Sequence, residues 1–127
     1  MKITSFNPLI VTKDAASVIA VFEALGFEQR HHKTGINGHV DSVRLRYENE
    51  DGKVFHVDVA QAPVPQDISS IRMNIRDFDE AKKFLEDKGF KNAQGDKTTD
   101  TGSSISTMMV SPSGFSISIA QHITDHE

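Results

Sequence analysis

The chain has 127 residues, long enough to bury one real core as a single domain. Its 14 Lys and Arg against 18 Asp and Glu give a formal charge of −4, with no basic block, which argues against a nucleic-acid partner. The absence of cysteine excludes a disulfide scaffold, a thiolate metal site and a cysteine nucleophile. The longest apolar run, Val18-Ile19-Ala20-Val21-Phe22, is far short of a membrane span, so no membrane partner is expected. The opening Met1-Lys2-Ile3-Thr4-Ser5-Phe6 has no apolar stretch of signal-peptide length, and the expectation is a cytoplasmic protein.

In chain order the pattern predicts a strand over 5–11, then a helix from Asp14 to Leu25 closed by Gly26. Strands follow over 27–33, 39–48 and 53–61, with Asn37-Gly38 and Asp51-Gly52 as turn formers. Residues 62–68 hold Pro63 and Pro65 and read as a linker. A strand over 69–75 precedes a second helix from Asp77 to Lys88, closed by Gly89. A short strand over 90–93, a polar loop over 95–102 and strands over 103–110 and 115–121 complete the chain before a tail at 124–127. Ser113-Gly114 marks the last turn.

The second series repeats the first. DAASVIAVFEALGF, starting at Asp14, aligns with DFDEAKKFLEDKGF, starting at Asp77, and the last strands both end in Ala-Gln, at Gln61 and Gln121. An aspartate at each start suits a helix N-cap and a glycine at each end suits a left-handed stop. Each half is a βαβββ unit, residues 1–61 and 69–123. Neither is large enough to stand alone, so the expected fold is α+β. The two units pair into an eight-stranded sheet structure within one domain spanning 1–127, with helices outside and a cleft between the concave faces.

The order of elements and their duplication resemble the vicinal oxygen chelate superfamily, also called the glyoxalase, bleomycin-resistance and dioxygenase fold. The resemblance is carried by Asn7-Pro8-Leu9-Ile10-Val11, the two helices and their Gly-Phe stops at Gly26 and Gly89. Ser111-Pro112-Ser113-Gly114-Phe115 is similar to the family's Asp-Pro-Asp-Gly-Asn turn. Metal-dependent members take ligands, often His and Glu, from the first and last strand of each half. The resemblance places those positions at Asn7, at His56 or Asp58, at Ser70 and at Ser118. Asparagine and serine are weak neutral donors, so the resemblance implies a protein without the usual metal set and without a cofactor.

Alternation along the strands sorts the faces. Ile71, Met73 and Ile75, like Phe55, Val57 and Val59, or Phe115, Ile117 and Ile119, belong against a helix. The opposite wall is then Asn7, Leu9, His56, Asp58, Ser70, Arg72, Asn74, Ser116 and Ser118, with Arg44 and Arg46 as weaker candidates. This wall suits a polar small molecule held by hydrogen bonds, with Arg72 facing a carboxylate or phosphate, or else serving as an internal partner for Asp58. The alternatives are a metal-dependent lyase, isomerase or dioxygenase working through His56 and Asp58 as ligands or acid–base groups, or a degenerate cleft kept for a protein interaction. A homodimer is expected, since two-fold pairs are the commonest soluble assemblies.

Overall fold

The computed structural model describes residues 1–36, 40–100, 102 and 104–122, with the backbone alone at 31–36, 40 and 41. The expected turn at Asn37-Gly38 and the tail at 124–127 lie outside the described residues. Among the described residues there are nine strands and two helices, an α+β chain. The eight expected strands are all present. They are β1 (Lys2–Thr12), β2 (Glu28–Ile36), β3 (Val40–Glu48), β4 (Val54–Gln61), β5 (Ile68–Arg76), β6 (Lys91–Asn92), β8 (Ser104–Val110) and β9 (Ser116–His122). The ninth, β7 (Thr99–Asp100), falls in the stretch expected to be a loop, where Thr99 and Asp100 pair with Ser106 and Ile105 of β8. The helices are α1 (Ala15–Leu25) and α2 (Phe78–Asp87). No helix among the described residues is long and apolar enough to cross a membrane.

The chain resolves into two compact units, Asn7–Ser69 and Met1–Phe6 with Ser70–Glu127. The opening strand is thus divided at Phe6, and the proline-bearing 62–68 segment travels with the first unit.

In the unit from Asn7 the strands run β2, β3, β4, β1. β3 and β4 are antiparallel around the Asn49–Lys53 turn, while β4 and β1 are parallel. Val43, Leu45, Val57 and Val59 line one face, and Ile10, Ala15, Val18, Ile19 and Phe22 pack onto them from β1 and α1. Burying each such aliphatic side chain contributes about 1.5–3 kcal/mol. In the other unit the order is β5, β9, β8, β6. There Met73, Ile75, Met109 and Ile119 meet Phe78, Ala81 and Leu85 of α2. The alternation therefore sorted these residues correctly. Phe55 and Phe115 are the exceptions: both are about half exposed, stacked only on Tyr47 and against the edge of Phe90.

The helices begin and end as the sequence dictates. Asp14 accepts from the Ser17 N–H and Asp77 from the Glu80 N–H, each satisfying an orphan donor of its helix. Gly26 stops α1 at φ +110°, where a Cβ would lie 3.0 Å from the Tyr47 ring, so only glycine fits without strain. The repeated Ala-Gln endings acquire a reason. The Gln61 Oε1 accepts from the Ala15 N–H at 2.8 Å and the Gln121 Oε1 accepts from the Phe78 N–H at 2.6 Å. Each glutamine ties the last strand of its half to the first residue of that half's helix.

Candidate functional site

Strand register decides which residues are equivalent in the two halves. Leu9 lies opposite Asp58 across the parallel β1–β4 pair, and Arg72 lies opposite Ser118 across β5–β9. Leu9 and Arg72 occupy the same place in the repeat, as do Asp58 and Ser118. The last-strand position left open between His56 and Asp58 is therefore Asp58, and His56 matches Ser116.

In the unit from Asn7, the sheet face away from α1 carries Asn7, Leu9, His56, Asp58 and Arg44. Asp58 is only 2% exposed. The Arg44 Nε donates to its Oδ1 at 2.8 Å and the Arg44 Nη2 donates to its Oδ2 at 3.0 Å, a fork that engages both oxygens. The same Nη2 donates to the Asn7 Oδ1 at 3.2 Å. The carboxylate raises the Arg44 guanidinium above its ordinary value, chiefly through these hydrogen bonds, against a burial effect that lowers it. A permanent cation thus bridges Asn7 and Asp58, two of the four positions expected from the sequence resemblance. His56 is half-buried and lies opposite Arg46, whose guanidinium reaches Glu48 at 3.2 Å.

Sequence reasoning gave Arg44 too little weight as a partner of Asp58. The signal was available: counting seven residues outward from Asp51 in each direction arrives at Arg44 and Asp58, which the hairpin pairs directly.

In the other unit the face away from α2 carries Ser70, Arg72, Asn74, Ser116 and Ser118. The Ser70 hydroxyl donates to the Ser116 carbonyl at 3.0 Å, which spends it on joining β5 to β9. Arg72, Ser118 and Met108 form one row across β5, β9 and β8, and Asn74, Ala120 and Ser106 form the next. Arg72 and Asn74 are half-buried and Ser116 and Ser118 are buried. On the opposite face a polar cluster that sequence reasoning missed fixes β6 and β7. The Thr107 hydroxyl donates to the Asn92 Oδ1 and accepts from the Gln94 Nε2, which also donates to the Thr99 hydroxyl. No spacing rule marks such a cluster, because its members come from three separate stretches, 92–94, Thr99 and Thr107.

Among the described residues no group of three or more His, Cys, Asp and Glu comes together. The strongest donor of the expected metal set, Asp58, is engaged by Arg44, and its companions Asn7, Ser70 and Ser118 offer neutral oxygens.

Tandem βαβββ units with this register are the fold of the vicinal oxygen chelate superfamily, and the solved structures that resemble the chain carry that fold. No family model and no curated protein matches the sequence. Among the solved structures, methylmalonyl-CoA epimerase of Streptomyces coelicolor, in complex with 2-nitronate-propionyl-CoA, matches with a TM-score of 0.68 at 17% identity. The match covers 98% of this chain and 99% of that one. The epimerase of Mycobacterium tuberculosis matches at 0.65 and 12% identity, covering 96% and 90%. A hypothetical protein of Bacillus halodurans matches at 0.66 and 11% identity, covering 98% and 99%.

Proposed function

We propose that this protein binds a small polar molecule without a metal ion, and the observation that carries the reading is the Arg44 bridge between Asn7 and Asp58. A divalent ion needs carboxylate or imidazole ligands converging on it. Here the Asp58 carboxylate already faces a fixed positive charge through both oxygens. An incoming ion would have to displace that guanidinium and then rely on amide and hydroxyl oxygens. The donor set does not fit the ion.

The ligand-facing groups are then those of the other unit. Arg72 offers a planar fork of donors, with Ser118 beside it in the same row and Asn74 in the next. A guanidinium flanked by hydroxyl and amide groups suits a carboxylate or phosphate on a small molecule. The fold supports this chemistry: relatives in structure hold acyl-CoA ligands, 2-nitronate-propionyl-CoA in one and methylmalonyl-CoA in another.

The test combines elemental mass spectrometry of untagged protein with thermal shifts against divalent ions and a panel of small carboxylates and phosphates. The expected result is no stoichiometric ion, no shift with any ion, and stabilisation by an anionic compound that Arg72→Ala abolishes. A stoichiometric metal, or a shift of several degrees with one ion alone, would refute the reading.

A further inference from the structure

We propose that the sheet face away from α2 takes a medium-chain monocarboxylate, with its carboxylate on Arg72 and its alkyl chain over Met108 and Val110; this rests on the reading of Arg72 as the partner of an anion. The duplicate half shows what such a face requires. Register matches the two faces strand by strand. Ser42 and Ala60 correspond to Ser106 and Ala120, the same residue types in both halves, and Arg44 and Asp58 correspond to Met108 and Ser118. Leu9 corresponds to Arg72. In the unit from Asn7 the middle row is therefore Leu9, Asp58 and Arg44: an apolar side chain, a carboxylate and a guanidinium. In the other unit it is Arg72, Ser118 and Met108. The guanidinium and the apolar side chain lie at opposite ends in the two rows. Serine takes the central place that a carboxylate holds in the duplicate.

Serine is short and neutral, so the carboxylate for this row comes from the ligand. An arginine carries several N–H donors and can hold a carboxylate through two of them while keeping a contact within the chain. The rest of the face sets the rest of the ligand. Among the described residues, the rows across β5, β9 and β8 that begin at Ser70, Arg72 and Asn74 hold one charged side chain, Arg72. Lys91 stands beyond them at the exposed β6 edge, opposite Val110. One guanidinium neutralises a monoanion and leaves a phosphate dianion or a dicarboxylate with uncompensated charge. On β8 the face presents Met108 and Val110, both half-buried, whereas the core of this unit lies on the other face with α2. Adjacent strands are about 4.8 Å apart. A carboxylate held at the centre of the row therefore has an apolar strip one strand spacing away, within reach of several methylenes and beyond the reach of acetate. The flexible thioether of Met108 suits a linear chain.

Isothermal titration of the full chain with acetate, butyrate, hexanoate, octanoate, hexanol, phosphate and malonate tests this. Affinity is expected to climb from acetate to octanoate by about twofold to fourfold per methylene. Hexanoate is expected to bind more tightly than hexanol, phosphate or malonate. Met108→Ser is expected to flatten the climb. Ser118→Asp, which installs the duplicate's carboxylate in the row of Arg72, is expected to weaken hexanoate at least about tenfold with unchanged circular dichroism. Met108→Ser, at a half-buried position, decides the question even where Ser118→Asp does not fold. A flat series that still depends on Arg72 overturns this inference and leaves the reading of Arg72 as an anion's partner standing. Binding of no anion, or binding indifferent to Arg72→Ala, overturns both. A climb that survives Met108→Ser, or hexanol bound as tightly as hexanoate, overturns the inference as well, because another surface or the alkyl chain alone then makes the contact.

Discussion

Replacing Arg44 by Met removes the fork from Asp58 while keeping the length of the apolar stem. Asp58 is 2% exposed and the Arg44 side chain 22% exposed, so the carboxylate is left buried with little water to replace the guanidinium. Breaking a buried pair from one side costs about 3–5 kcal/mol. The Asn7 Oδ1 loses a donor in the same step. For 127 residues, an unfolding entropy of about 2.1 cal/mol/K per residue converts that loss into a Tm lowered by about 10–20 °C. Removing both partners, in Arg44→Met with Asp58→Leu, takes away the stranded charge as well. That variant is expected to recover most of the loss, to within about 1 kcal/mol of the wild type. Urea unfolding at pH 7, followed by far-UV circular dichroism, reads both numbers and the coupling between the sites. If Arg44→Met costs less than about 1 kcal/mol and the double variant is simply additive, the pair behaves as a screened surface bridge. The argument that Arg44 occupies Asp58 then fails.

Four further outcomes follow from the geometry. Gln61→Leu removes the acceptor for the Ala15 N–H and is expected to cost about 1–2 kcal/mol in urea unfolding, and Gln121→Leu a similar amount at the Phe78 N–H. Gly26→Ala forces a Cβ to 3.0 Å from the Tyr47 ring at φ +110° and is expected to cost about 1–3 kcal/mol, read as a lowered Tm. Thr107→Val removes the donor to the Asn92 Oδ1 and one acceptor for the Gln94 Nε2 and is expected to cost about 0.5–1.5 kcal/mol, with faster amide exchange over 91–100 as its local signature. The Asp14 carboxylate is held below its ordinary value of 3.8, first by the Ser17 hydroxyl and then by the Ser17 N–H. Its contribution is therefore present above pH 3.8 and is lost as pH falls through the lowered folded value, so Asp14→Asn is expected to flatten that acid limb of the stability profile.

The fold was legible because the chain writes it twice. The helices, their aspartate caps and glycine stops, and the core alternation over 71–75 and 57–59 all appear at matching places in both halves, and each copy supports the reading of the other. The site was less legible for a physical reason. A face assignment tells which residues share a wall and says nothing about which of them satisfy each other. Arg44 and Arg72 look alike from alternation. Only cross-strand register separates them, because register puts Arg44 opposite a carboxylate and Arg72 opposite a serine. Phe55 and Phe115 misled the alternation for a related reason. Both remain about half exposed, and each meets a neighbouring ring, Tyr47 and Phe90, rather than joining a buried cluster.

The two halves share one scaffold and have diverged in what that scaffold presents. The glutamine staples, the parallel pairing of first and last strands, and the helix caps coincide position by position, which means these contacts are what a βαβββ unit needs in order to stand. The side chains at the four positions that the sequence resemblance singled out are released from that demand. In one half they are Asn7 and Asp58, closed by an internal cation; in the other they are Ser70 and Ser118, hydroxyls within the sheet. The two halves satisfy their buried polar groups by different chemistry. A buried carboxylate left unpaired is costly. A guanidinium placed across Asn7 and Asp58 removes that cost by supplying the positive charge from within the chain. The arrangement thus satisfies the buried Asp58 carboxylate from within the chain, and the proposed part of Arg72 and its neighbours in ligand binding is tested independently of it.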